Sequence, residues 1–226
     1  MSASRNAPPG RDESRPADRT IGVLISGRGS NLQALIGAIE ARRLDARIGV
    51  VISNRAEAEG LHRAAAAGIE TLVVNHRAFS SRDEFDAAVA RELKARGVSL
   101  VCLAGFMRLI GAPLLDAYPH AILNIHPSLL PAFPGVDAQR QALDHGVKVT
   151  GATVHLVTSE LDGGPIVVQA PVPVRDDDTV ETLSARILIE EHKIYPEAAR
   201  MWLEGTWSIQ GRRFVPHTHH TPGTSR

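Results

Sequence analysis

The sequence predicts an α/β fold: a mostly parallel sheet flanked by helices, with an antiparallel extension on its C-terminal side. Three features predict it. Between residues 20 and 125, short apolar runs alternate with helix-periodic segments, the pattern of parallel strands joined by right-handed crossovers. A glycine-rich turn, Ser26-Gly27-Arg28-Gly29-Ser30-Asn31, follows the first apolar run and opens straight into a helix. From residue 147 the pattern changes to two longer alternating segments, 147–157 and 165–174, joined by a Gly-containing loop. Such segments read as antiparallel strands. Together they describe a Rossmann-like sheet with an added edge.

In chain order, residues 21–26 form a strand and 31–41 a helix. Residues 48–53 form a strand, followed by an Ala-rich helical segment at 56–67, and 70–74 the next strand. Ser81-Arg82-Asp83-Glu84 has the form of a capping box and opens a helix to about Lys94. Residues 100–104 and 121–125 are strands. Residues 179–203 form a long helix, with a break expected at Pro196 because proline removes a helical donor. A small hairpin at 207–215 closes the fold. Residues 1–19, rich in Arg, Asp, Pro and Ser without an apolar face, read as a disordered leader, and residues 216–226 as a solvated tail. One domain, 20–215, lies between them.

A chain of 226 residues, 43% hydrophobic, can bury the core of one such domain. Lys+Arg and Asp+Glu both number 25. That balance argues against a general nucleic-acid or membrane surface, though not against a local basic pocket. The single cysteine, Cys102, sits inside an apolar run and reads as a buried thiol, so no disulfide framework or thiolate cluster can form within the chain. With no apolar stretch long enough for a membrane span and no signal peptide, the cytoplasm is the expected compartment.

The most informative stretch is Asn124-Ile125-His126-Pro127-Ser128-Leu129-Leu130-Pro131, at the end of the 121–125 strand. Asn124 and His126 are two apart, so an extended backbone points both side chains to one side. Pro127 and Pro131 stiffen the turn that follows. An amide can hold a carbonyl oxygen, and an imidazole can donate to an oxyanion or move a proton near neutral pH. The pair suits acyl-type transfer. The plainer alternative is a strand-end pair that satisfies loop backbone.

The turn at 26–31 offers close-approaching backbone amides and a helix N-terminus, which is an anion site, and Ser30 and Asn31 can add side-chain donors. It is not G-x-G-x-x-G, because Leu32 takes the last glycine place, and Ser53-Asn54 ends the second strand without an acid for an adenosine ribose. A small phosphorylated substrate fits better than a dinucleotide. An ordinary glycine turn is the alternative. In Glu160-Leu161-Asp162-Gly163-Gly164-Pro165, a carboxylate held in a tight turn could reach an imidazole across the sheet and favour its charged form. The alternative is hairpin chemistry, since Asp-Gly is a common turn signal.

Taken together, these motifs and Ala104-Gly105-Phe106-Met107-Arg108 resemble the phosphoribosylglycinamide formyltransferases, folate-dependent enzymes of purine synthesis, from about Thr20 to about Val215. The Asn-Ile-His-Pro run is shared with methionyl-tRNA formyltransferases, formyltetrahydrofolate deformylases and sugar formyltransferases. The Gly-Ser-Asn-Leu loop selects the purine enzymes. The resemblance implies the formyltransferase fold and attack of the glycinamide ribonucleotide amine on the formyl carbon of 10-formyltetrahydrofolate. It implies that Asn124 and His126 stabilise the oxyanion, while Asp162 sustains the charge on His126 and helps pass a proton through water. Gly29, Ser30 and Asn31 then hold the substrate phosphate, with Glu191 beside the ribose and Pro127 also on the substrate side. Arg82, Met107, Arg108, Leu109 and Ile110 lie along the folate, to which Asn124 also belongs, and residues 158–162, with Thr158 and Leu161, close over the pterin. Without the resemblance, Met107, Leu109 and Ile110 read as core, and Arg82 and Arg108 as solvated charges. No metal is implied. The enzyme would work on small molecules, as a monomer or homodimer, without nucleic acid or membrane.

Two departures stand out. Asp137 and Gln139 occupy places where many relatives carry histidines, and Leu188 one where some carry a polar residue. Three other readings remain. A deformylase would use water as the acceptor. A phosphometabolite-binding module would leave Asn124, His126 and Asp162 without a joint purpose. A metal hydrolase using His120, His126 or His155 lacks the H-E-x-x-H spacing.

Overall fold

The computed structural model describes residues 19–205 and 207–217. The rest of the expected leader, 1–18, and of the tail, 218–226, lies outside the described residues. Within them the chain runs β1 (Thr20–Ile25), α1 (Ser30–Glu40), β2 (Arg47–Ser53), α2 (Glu59–Ala66), β3 (Thr71–Val73), α3 (Arg82–Ala95), β4 (Leu100–Leu103), α4 (Ala112–Ala117), β5 (Ile122–His126), α5 (Ala138–Asp144), β6 (Val149–Leu156), β7 (Ile166–Pro173), α6 (Val180–Leu203), β8 (Trp207–Gln210) and β9 (Arg213–Pro216). The strands form one sheet in the order β3-β2-β1-β4-β5-β6-β7-β9-β8. From β3 to β5 every pairing is parallel, and β6 and β7 add antiparallel strands. The hairpin β8–β9 joins β7 through the single partner pair Ile166 and Arg213.

The order reverses between β1 and β4. Right-handed crossovers therefore put α1 and α2 on one face and α3 and α4 on the other. They also leave a crevice beyond the carboxyl ends of β1 and β4, where ligands bind in open α/β sheets. β1 and β4 are apolar throughout apart from Thr20 and Gly22, and both are buried along their length, as expected of strands covered on both faces. Cys102 is fully buried there as a free thiol, and burial pushes its pKa up to about 12.

Two local expectations need correction. The long helix runs unbroken through Pro196. The lost donor is offset by burial of Tyr195, Ala198, Ala199 and Trp202, and by two anchors. The Tyr195 hydroxyl lies 2.9 Å from the Leu103 carbonyl and 3.2 Å from that of Leu123, and the Trp202 indole donates to the His120 carbonyl at 2.7 Å. At α3, Ser81 accepts from the Glu84 amide, but Glu84 reaches back to the Ser80 amide and not to that of Ser81. The reciprocal box occurs instead at Thr179 and Thr182 of α6. α4 and α5, of 6 and 7 residues, are too short to show a helical period in sequence.

Candidate active site

β5 ends on His126, and the antiparallel register with β6 sets Asn124 opposite His155 and His126 opposite Thr153. Because side chains alternate, these four share one face of the sheet. Besides its prolines, the turn after β5 is held by a largely buried polar network. Thr153 Oγ1 donates to the Ser128 carbonyl at 2.6 Å and accepts from the Leu130 amide at 3.1 Å, and the Gln169 amide donates to both Leu130 O and Thr153 Oγ1 at 2.9 Å. Ser128 Oγ donates to the Ala132 carbonyl at 2.5 Å. This network sets the Phe133 carbonyl, which lies 2.8 Å from His126 Nε2. A carbonyl only accepts, so Nε2 carries a proton and Nδ1 is the working nitrogen.

Asp162 approaches from the turn after β6. Its backbone is left-handed at φ 49, a strained conformation that Asp tolerates better than most residues. Its Oδ2 accepts from the Gly135 amide at 2.8 Å. The same oxygen lies 3.6 Å from His126 Nδ1, and Oδ1 lies 3.6 Å from His155 Nε2. The fold thus brings Asn124, His126 and Asp162 together. The gap to Nδ1 exceeds a hydrogen bond, so the two groups face each other without a direct bond.

The electrostatic outcome differs from the expectation that Asp162 keeps His126 charged. Burial lowers the imidazole pKa, and the Phe133 carbonyl and the Asp162 charge oppose that shift without overcoming it. Desolvation penalises the cation more than one carboxylate at this distance favours it. His126 is therefore neutral at rest near neutral pH, with Nδ1 free to take a proton. Burial also acts to raise the Asp162 carboxyl, but the Gly135 amide that donates to it and the polar imidazole edges facing it together hold it below the usual carboxylate range.

His155 is the residue the sequence reading missed in this role. Its Nδ1 lies 3.0 Å from the Leu156 carbonyl and so carries a proton, leaving Nε2 to accept from Asn124 Nδ2 at 3.1 Å. That contact orients the Asn124 amide and leaves its second N–H free to donate. The available signal was a polar pair, Thr153 and His155, two apart among the apolar Ala152, Val154 and Leu156, matching the spacing of Asn124 and His126.

Across the crevice, α1 starts at Ser30 with Gly29 left-handed at φ 73, no side-chain cap and no acid in its first turn. Its free amides suit an anion. A Cβ on Gly29 would lie 2.6 Å from Gly60 Cα, so the turn needs glycine there. Asn31 Nδ2 commits one of its two N–H groups to Glu191 Oε2 at 2.7 Å inside the fold, while its Oδ1 is buried without a partner. Burial raises the Glu191 carboxyl pKa despite that bond.

Met107 and Leu109 are 67% and 58% exposed, so the core alternative does not hold for them, whereas Ile110 is half-buried against the core. Leu161 stands 56% exposed beside the Asp162 turn. The Arg108 guanidinium lies over the Phe85 ring at 4.9 Å. Arg82 opens α3 next to Gly111, and Thr158 bonds locally to the Glu160 backbone. Pro127 is half-buried directly after His126. Asp137 sits left-handed at the N-cap of α5, Gln139 lies within α5, and Leu188 is half-buried on α6. Among the described residues, no three His, Cys, Asp or Glu side chains are grouped to hold a metal ion, and no helix is long and apolar enough to cross a membrane.

The two glycines after Asp162 are not equivalent. The atoms nearest a Cβ on Gly163 belong to the Glu160 side chain, which can swing away, whereas a Cβ on Gly164 would lie 1.8 Å from the Leu156 carbonyl oxygen. Gly164→Ala is expected to destabilise the fold by about 1–3 kcal/mol and to displace Asp162, with Gly163→Ala much milder. Urea midpoints and turnover of both variants check this, and equal effects would refute it.

Residues 19–199 match the formyl transferase family model. The chain is 44% identical over 202 residues to phosphoribosylglycinamide formyltransferase of Escherichia coli (strain K12), a match spanning 86% of this chain and 95% of that enzyme. It is 49% identical over 186 residues to the human trifunctional purine biosynthetic protein adenosine-3, of which it spans only 18%. Of solved structures, glycinamide ribonucleotide transformylase 1 from Symbiobacterium toebii superposes with a TM-score of 0.89 at 57% identity, covering 90% of this chain and 96% of that one.

Proposed function

The chain belongs to the formyl transferase family, and on that premise we propose that it transfers the formyl group of 10-formyltetrahydrofolate to the amine of glycinamide ribonucleotide in de novo purine biosynthesis. The observation that carries the proposal is the placement of two sites on one crevice. An anion cradle lies beyond β1, and Asn124, His126 and Asp162 lie at and beside the end of β5, with the exposed apolar Met107 and Leu109 after β4 between them.

In this reading the phosphate sits on the amides of Gly29, Ser30 and Asn31, with Glu191 towards the ribose and Pro127 on the acceptor side. Met107, Leu109, Ile110 and Leu161 wall the flat heterocycle, the 158–162 turn covers it, and Arg82 meets the anionic end of the folate. The amine nitrogen attacks the formyl carbon, and the oxygen takes up negative charge towards the free N–H of Asn124. His126 Nδ1 accepts the proton that the amine loses, and Asp162 stabilises the imidazolium so formed. The proton returns to N10 of the folate as the bond from the formyl carbon to N10 breaks. Tetrahydrofolate and the formylated acceptor leave. Phosphate binding far from the reacting amine spends its energy on orienting that amine. The reaction joins water-soluble metabolites, so the cytoplasm is its expected compartment.

The test separates transfer from hydrolysis. Release of tetrahydrofolate is expected to require glycinamide ribonucleotide, and the dephosphorylated acceptor to be poor. Rapid release that ignores the acceptor would assign a deformylase instead.

A further inference from the structure

Ser26 closes β1 and begins the anion cradle, yet its side chain faces the other substrate's segment. The Met107 amide donates to Ser26 Oγ at 2.9 Å, and Ser26 Oγ donates in turn to Asn54 Oδ1 at 2.7 Å. An amide can only donate, so the direction of this chain is fixed. The Ser26 amide also reaches the Gly105 carbonyl at 3.2 Å. Both Ser26 and Asn54 are buried. Behind the cradle, the Gly60 amide donates to the Gly27 carbonyl at 3.0 Å. The cradle and the 107–110 segment are thus tied by a hydroxyl that water does not reach.

The other end of that segment is held differently. The Gly111 amide donates to the buried Asp86 carboxylate at 2.5 Å, and a Cβ on Gly111 would meet both Asp83 and Asp86 oxygens at 2.9 Å. This second tether leads into α3 and not to the cradle. One end of the segment therefore answers to the acceptor site and the other to the scaffold.

We propose that Ser26 is a positioning residue that couples the two substrates: an anion seated on the cradle stiffens residues 26–31, and the Ser26 to Met107 hydrogen bond passes that restraint to the segment that receives the folate. The proposal rests on the assignment of 107–110 to the folate. A ligand that has already ordered one side of a shared hydrogen bond lowers the entropic cost of ordering the other, and by linkage the effect is reciprocal.

The experiment measures tetrahydrofolate affinity by calorimetry with and without saturating glycinamide ribonucleotide, in the wild type, Ser26→Ala, Ser26→Thr and Asp86→Ala. The acceptor is expected to tighten folate binding about fivefold or more in the wild type. Ser26→Ala brings that factor close to one, Ser26→Thr restores it, and Asp86→Ala weakens folate binding but keeps the factor. Hydrogen exchange of the Met107 amide gives a second readout, slowed by glycinamide ribonucleotide alone in the wild type and not in Ser26→Ala. No coupling in the wild type, equal coupling in wild type and Ser26→Ala, or equal loss in Asp86→Ala overturns the proposal. A wild-type protein that binds neither ligand overturns the functional reading itself, and the proposal with it.

Discussion

His126→Ala is expected to lower turnover by about 10²–10⁴-fold while leaving phosphate-substrate binding nearly intact. The imidazole is buried, held at Nε2 by the Phe133 carbonyl, and presents Nδ1 to the space between Asn124 and Asp162. Removing it takes away the proton acceptor at the moment the attacking amine becomes acidic. The proposed phosphate site lies away from it, in the turn between β1 and α1, so the apparent constant for glycinamide ribonucleotide should hardly move. Steady-state kinetics against both substrates checks the prediction. Turnover within a few-fold of wild type would remove His126 from the chemistry.

Asp162→Asn is expected to lower turnover by about 10²-fold or more and to shift the acidic limb of the rate profile to lower pH. The sign follows from the charges. Burial already lowers the His126 pKa, and the Asp162 carboxylate is one of two effects that raise it back. Without that carboxylate the imidazolium loses a partner, so the pKa falls further and the ring stays neutral to lower pH. The base is then present over a wider range, yet it is a poorer acceptor, because the cation it must become is no longer stabilised. The substituted amide keeps one oxygen able to accept from the Gly135 amide, so the turn should hold. A profile and turnover that match the wild type would make Asp162 a turn residue only.

Asn124 and His126 could be singled out before any coordinates because their arrangement is local. A strand fixes the direction of side chains two apart, and β5 includes both. The uncapped helix start at Ser30 was legible for the same reason, since glycines followed by a helix-periodic run mark it within six residues. Ser81 and Glu84 show the limit of such local reading: the spacing marked the helix start, while a one-residue shift in the partner of Glu84 depended on the path of the incoming chain. Met107 and Leu109 show a second limit, because an apolar residue near a strand end looks the same in sequence whether it faces the core or a ligand.

By itself the sequence determined the alternation of strands and helices, the glycine turn that opens into the first helix, the same-side pair on β5 and the family resemblance that joins them. All of these are set by short-range geometry and residue chemistry. Only the tertiary structure decided that His155 orients Asn124, because that contact depends on the antiparallel register of β5 with β6, 31 residues apart. The same holds for the Ser26 bond to Met107, 81 residues away. The resting charge of His126 was likewise beyond the sequence, which could supply the sign of the Asp162 effect but not the burial that outweighs it. Desolvation is a property of everything packed around a group, and no spacing of residues along the chain records it.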